Sequence, residues 1–124
     1  MDVSVEVNAL DEVFPGGLFS SNCPSRTLLD HVTSKWGVLV LVSLKGRTLR
    51  WGQLRRSVQG VSEKMLAQTL KTFERDGLVA REALPVIPPH VEYRLTERGE
   101  ELVELLHPLL TWVAANVDVI LTEP

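Results

Sequence analysis

Between Ser62 and Gly77 two sets of residues are interleaved at helical spacing, and this stretch constrains the chain more than any other. Leu66, Leu70 and Phe73 recur at steps of four and three, while Lys64, Gln68, Lys71 and Arg75 recur at steps of four, three and four. At about 100° per residue the two sets fall on nearly opposite sides of one helix. Ser62 suits the N-cap, because its hydroxyl can accept from an orphan amide of the first turn. Gly77 suits the left-handed residue that closes such a helix. The helix must pack its apolar side and present a polar, basic side outward. On pattern alone, that outer face is either an ordinary solvated surface or one that reads nucleic acid.

The flanking sequence gives this helix a context. A short helix is predicted from about Trp51 to Val58, followed by Gly60, so two helices are joined by a short glycine-containing gap, as in a helix-turn-helix. Beyond Gly77, Leu78–Leu84 and Val91–Leu95 have the alternation and β-branched content of half-buried strands. The linker between them, Pro85-Val-Ile-Pro-Pro-His90, is stiff and too extended for a tight turn. Strand, stiff loop and strand after a helix-turn-helix make a two-stranded antiparallel wing. Upstream, Cys23-Pro24 starts a helix bearing Leu28, Leu29 and Val32, with proline at the first helical position. A second helix covers about Ser34–Leu44, with Trp36, Leu39, Val40 and Leu44 at helical spacing and Gly46 ending it. Thr96 caps a last helix, with Glu97 and Glu100 at its positive end, running to about Leu121 with an expected kink at Pro108. Residues 1–20 read as an arm: Val3, Val5 and Val7 alternate like a short strand, and Phe14-Pro-Gly-Gly17 breaks any helix. The expected domains are therefore the arm, 1–20, and one domain, 21–124.

Charge separates along the chain. The net charge is -3 over 124 residues, yet residues 45–94 hold ten basic and five acidic side chains, while the segments on either side are acidic. A basic middle between acidic ends is the asymmetry expected when only the middle faces phosphate, although chance clustering gives the same count. The 44% hydrophobic and 23% charged fractions are those of a soluble globular domain. The longest strongly apolar run, Val38–Leu44, is too short to span a bilayer, and the acidic N-terminus lacks the order of a signal peptide, so the expected location is the cytoplasm. A single cysteine, Cys23, excludes an intrachain disulfide framework. His31, His90 and His107 are scattered without ligand spacing, and there is no glycine-rich phosphate loop, so neither an enzyme nor a cofactor or metal protein is expected.

The candidate DNA-binding residues follow from the geometry of such a motif. An exposed helix reads base edges in the major groove with its N-terminal residues. Here those are Ser62, Glu63, Lys64, Ala67, Gln68 and Lys71, with Lys64 suited to guanine and Gln68 to adenine. Lys71 and Arg75 lie farther along and suit phosphates. Arg47, Arg50, Arg55 and Arg56 flank the motif and are placed to hold the backbone. His90 near the wing tip and Arg94 in its second strand are placed for the adjacent minor groove or its phosphates.

Taken in order, a longer series of residues resembles one family. The series is Cys23-Pro24; Lys35-Trp36 and an apolar run to Leu44 and Gly46; Arg50-Trp51-Gly-Gln-Leu54; and Gly60-Val-Ser62-Glu-Lys-Met-Leu66 with Leu70. It continues with Glu74-Arg-Asp-Gly-Leu-Val79 and Arg81, then Pro88-Pro89-His-Val-Glu-Tyr93, Leu95-Thr96 and Gly99. Each piece is weak, but the order and spacing together are specific, and they cover residues 23 to about 113. The chain resembles the HxlR-type bacterial winged helix-turn-helix regulators, with Trp51 where phenylalanine is usual and Gly37 where a threonine-like residue is usual. The resemblance implies a homodimer on a pseudo-palindromic operator.

The dimer also has support in the residues themselves. From Leu102 to Leu121 the last helix carries more apolar surface than one side needs against a small domain, although a well-buried helix would look the same. The interface expected from this is Leu28 and Leu29 of the first helix with Leu102, Leu106, Leu109, Trp112, Val113 and Val117 of the last. Cys23 is the candidate redox sensor. Members of the resembled family sense oxidants or electrophiles through a cysteine just before the first helix, and a helix N-terminus favours the reactive thiolate. An inert, partly buried cysteine is the alternative. The reading is thus a mainly helical winged helix-turn-helix protein with N- and C-terminal dimerisation helices. It acts as a sequence-specific repressor of transcription whose partners are double-stranded DNA, a second copy and an oxidant or electrophile. A winged-helix module that binds protein and not DNA is the rival, and a steep loss of binding with salt separates the two.

Overall fold

A computed structural model describes residues 20, 21 and 23–122. The arm features expected at Val3–Val7 and Phe14–Gly17 lie outside the described residues. The chain divides after Ser34 into two units, 1–34 and 35–124, where the sequence reading divides it after residue 20. Ser34 itself is extended, with φ -62° and ψ 150°, and interrupts the helical run.

In the first unit the described helix is α1, Pro24–Thr33. Pro24 occupies its first turn as expected, and Cys23 is its N-cap, with φ -70° and ψ 120°. The Cys23 amide donates to Ser20 O at 3.2 Å and its carbonyl accepts from Arg26 N at 3.0 Å, so the backbone wraps tightly around this cysteine. Leu28 and Leu29 are exposed.

The second unit holds α2 (Lys35–Ser43), β1 (Leu49–Arg50), α3 (Trp51–Ser57), α4 (Glu63–Arg75), β2 (Val79–Leu84), β3 (His90–Leu95) and α5 (Glu97–Thr122). Gly46 and Gly77 follow α2 and α4 with φ of 69° and 75°, the left-handed turns their positions required. The core forms where α2 packs on α4 and α5, and where α4 packs on β2. Val40, Leu41 and Leu44 of α2 and its following turn, Leu54 of α3, Leu66, Leu70 and Phe73 of α4, and Val103 of α5 are all buried. Each buried leucine or phenylalanine of this set contributes roughly 1.5–3 kcal/mol. The expected two-stranded antiparallel wing is β2 with β3, and β1 adds a third antiparallel strand to its sheet, in the order β1-β3-β2. Leu49 pairs with Tyr93 and Arg50 with Glu92, while β2 and β3 pair continuously from Val79–Leu95 to Leu84–His90. β1 therefore ties the start of the helix-turn-helix to the wing.

Thr96 joins the wing to α5. Its hydroxyl accepts from Gly99 N at 3.1 Å, capping the helix, and donates to Gly77 O at 2.6 Å. Its amide donates to Leu78 O at 3.0 Å. One threonine thus fixes α5 to the turn that closes α4. α5 runs through Pro108, which offers no N–H to the carbonyl four residues back. By length and composition alone α5 could also cross a membrane, unlike the shorter Val38–Leu44 run.

Candidate nucleic-acid interface

α4 forms because its sequence satisfies both of its ends. Ser62 is extended, with φ -74° and ψ 157°, and its Oγ accepts from Met65 N at 3.0 Å. Glu63 lies in the first turn and Arg75 in the last, matching the helix dipole at each end. Leu66, Leu70 and Phe73 are buried, and so is Thr69, which the three-residue apolar stripe did not include. Lys64, Gln68, Lys71 and Arg75 are all exposed, along with Ala67. The structure therefore places the four candidate reading and phosphate side chains on one open face of a single helix. Ser62 is exposed beside them, although its oxygen already serves the cap.

α3 starts without a serine or threonine cap. Gln53 reaches back instead, its Oε1 accepting from Arg50 N at 2.8 Å, as in the second half of a capping box. Around α3 the surface is polar and indented. One cleft of about 490 Å³ is lined by Trp51, Gly52, Arg55, Arg56, Gly60, Val61 and Glu63. Another of about 460 Å³ is lined by Thr48, Arg50, Gly52, Gln53, Arg56 and Glu92. Gly52 and Arg56 border both. The bare Gly52 leaves the clefts open, and Arg56 supplies both with a cation.

The other candidate cations differ in how far they are committed. Arg47 is exposed but folded back, its Nε donating to Ser43 O at 2.7 Å and a terminal nitrogen reaching Ser57 Oγ at 3.4 Å. Arg55 is ion-paired with Glu63 at 3.1 Å, a link between α3 and α4 that residues eight apart in sequence did not reveal. Arg50 and Arg94 are exposed on neighbouring parts of the sheet. His90 is the first residue of β3, as its place near the wing tip predicted, but it is half-buried and its Nε2 lies 3.7 Å from Glu92. It therefore faces along the wing and not outward like the lysines of α4.

The proposed dimer residues also separate. Leu106 is only 8% exposed, so it belongs to the core of the single chain, which corrects its assignment to the interface. Leu102 and Val117 are half-buried. Leu109, Trp112 and Val113 are exposed, at 51%, 57% and 44%. Leu105, 75% exposed, and Ile120, 56% exposed, extend the same apolar surface and were absent from the predicted set. They follow the stripe 105, 109, 112, 120 at multiples of a helical turn, a signal already present in the sequence. Cys23 is 2% exposed and its side chain makes no capping hydrogen bond. Among the described residues no group of acidic, histidine or cysteine side chains could hold a metal ion.

Known proteins resemble this chain in sequence and fold. A family model described as HxlR-like helix-turn-helix matches residues 31–120. The HTH-type transcriptional regulator YtfH of Escherichia coli (strain K12) is 49% identical over 116 residues, covering 94% of this chain and 92% of its own. Among solved structures, the transcriptional regulator YtfH from Salmonella typhimurium superposes with a TM-score of 0.79 at 50% identity, over 85% of this chain and 94% of that one. The oxidized form of the redox regulator HypR superposes with a TM-score of 0.70 at 32% identity, over 76% of this chain and 97% of that one.

Proposed function

The chain belongs to the HxlR-like helix-turn-helix family of transcriptional regulators, and from that premise we propose that it is a sequence-specific repressor that binds double-stranded DNA as a homodimer. The observation that carries this is the exposed row Lys64, Gln68, Lys71 and Arg75 on α4, opposite a buried Leu66, Leu70 and Phe73. Lys64 and Gln68 read base edges near the helix N-terminus, and Lys71 and Arg75 hold phosphates farther along. Arg50, Arg56 and Arg94 hold the backbone beside them. Two copies related by a two-fold axis present two such helices to half-sites about 34 Å apart, or a multiple of that. The apolar surface of α5 around Leu109 and Trp112 serves the second copy in this reading, with Leu28 and Leu29 of α1.

Cys23 is the proposed receiver of the signal, an oxidant or electrophile. Its place at the N-cap of α1 and the likeness to a redox regulator support this. Its burial means that reaction requires the start of α1 to open, so the sensor is slow until that segment moves. Mobility-shift titration on a duplex that the protein selects from a random pool tests both parts. The wild type should bind specifically, Lys64→Ala with Gln68→Ala should lose the preference, and a mild thiol oxidant should release the wild type but not Cys23→Ser. Specific binding that survives the double substitution unaltered would remove α4 from the reading role. Release of Cys23→Ser by the oxidant as well would remove Cys23 from the sensing role.

A further inference from the structure

The wing ends in a chemistry unlike the rest of the proposed DNA face. Its apex, Pro85-Val-Ile-Pro-Pro89, has no charged side chain, and three of its five residues lack an N–H. Ile87 is 99% exposed and Val86 is 46% exposed. The register of β2 and β3 sets Glu82 opposite Glu92, so the charged pair nearest the apex on that face is acidic. An apex of this kind offers phosphates no charge and only two backbone amides, those of Val86 and Ile87. It is nonetheless rigid and projected. Two strands of six residues, paired along their length, carry it about 20 Å from the end of α4 at ~3.3 Å per residue. Half a turn of duplex is about 17 Å, the distance from a major groove to the next minor groove on the same side.

We infer that Ile87 is an apolar wedge that enters the minor groove flanking the half-site read by α4 and partly unstacks a base step there. Isoleucine and proline are among the side chains that act in this way, and the cost of unstacking falls on flexible steps. The wedge therefore selects for deformable sequence at a position that α4 does not touch. It adds an affinity term that does not depend on salt. The stiff proline loop holds Ile87 in place before binding, so little conformational entropy is lost on insertion. This inference rests on the DNA-binding reading above.

The test uses the full chain and a duplex it has selected from a random pool, with 2-aminopurine replacing adenine at each flanking position in turn. Binding of the wild type should raise the fluorescence at one flanking step, because 2-aminopurine brightens when it leaves the stack. Ile87→Ala should abolish that rise and weaken binding about tenfold, with the slope of log affinity against log salt unchanged. The fully exposed side chain plays no part in the core, so the variant should melt with the wild type. Equal affinity for the two proteins, or no fluorescence rise at any flanking step with the wild type bound, overturns the wedge and leaves the regulator reading standing. Failure of the wild type to select or bind any duplex overturns both.

Discussion

Gly99→Ala should destabilise the protein even though alanine is the better helix former. Gly99 lies in the first turn of α5, buried against the turn that follows α4. A Cβ built there would stand 2.1 Å from Leu78 O and 3.3 Å from Leu95 Cδ2, where ordinary contact begins at 3.4 Å. The obstacle is backbone and is held from both sides: Leu78 N donates to Phe73 O at 2.9 Å, and Leu78 O accepts from Thr96 N at 3.0 Å. Relief requires α5 to move off the turn, which strains or breaks the Thr96–Leu78 bond. The gain from replacing a helical glycine is about 1 kcal/mol. Against it stand about 1–3 kcal/mol for overpacking and about 1 kcal/mol for the hydrogen bond. The net is a loss of about 2 kcal/mol, which for a domain of this size lowers Tm by roughly 8 °C. Thermal melting followed by far-ultraviolet circular dichroism, at matched protein concentration, reads it directly. A Tm equal to or above that of the wild type would show that the α5–Leu78 contact yields freely, and the reasoning would fail.

Three further outcomes follow from named contacts. Thr96→Val keeps the shape but removes both the cap to Gly99 and the bond to Gly77, and should cost about 2 kcal/mol in urea unfolding. Lys71→Ala should weaken binding to every duplex alike and reduce the salt slope by about 0.9, the signature of one lost phosphate contact, while leaving sequence preference intact. Trp112→Glu places a charge on the exposed apolar face of α5 and should raise the dimer dissociation constant at least 30-fold, a hot-spot loss of about 2 kcal/mol, as read by sedimentation velocity.

The parts of the fold visible in the sequence are those with redundant signals. α4 has a cap, a period and a terminating glycine, and all three agree with the structure. α5 has a cap but an almost continuous apolar surface, so its period could not say which leucines face inward. Leu106 and Leu109 looked alike, and only packing separates them. β1 has two residues, too few for any alternation, and it exists because Leu49 and Arg50 find Tyr93 and Glu92 across the sheet. His90 was correctly placed at the wing end, but its direction depends on Glu92, its neighbour on the same face of β3. The apex isoleucine has no signal of its own in the sequence, because a proline-rich loop reads as stiff whichever of its side chains stands farthest out.

The site itself shows how a chain of net negative charge can still face DNA, and Arg55 is the instructive residue. The sequence reading counted it among the backbone contacts, on its charge and position. In the structure it is spent on Glu63, whose carboxylate stands in the first turn of the helix meant for the major groove. Glu63 is favourable for α4 in isolation, because it meets the positive end of the helix. Beside phosphates it is a repulsion, and Arg55 cancels it locally. The pair is exposed and so worth at most about 1 kcal/mol to the fold. Its weight lies in what it prevents: an Arg55 that turned to a phosphate would leave Glu63 uncovered next to the same backbone. In the proposed reading the cations left to hold DNA are then Lys71 and Arg75 on α4, Arg56 between its two clefts, and Arg50 and Arg94 on the sheet. Counting basic residues in the middle segment therefore overstates the electrostatic grip, and the proposed reading puts more of the specificity on Lys64, Gln68 and the shape of the wing.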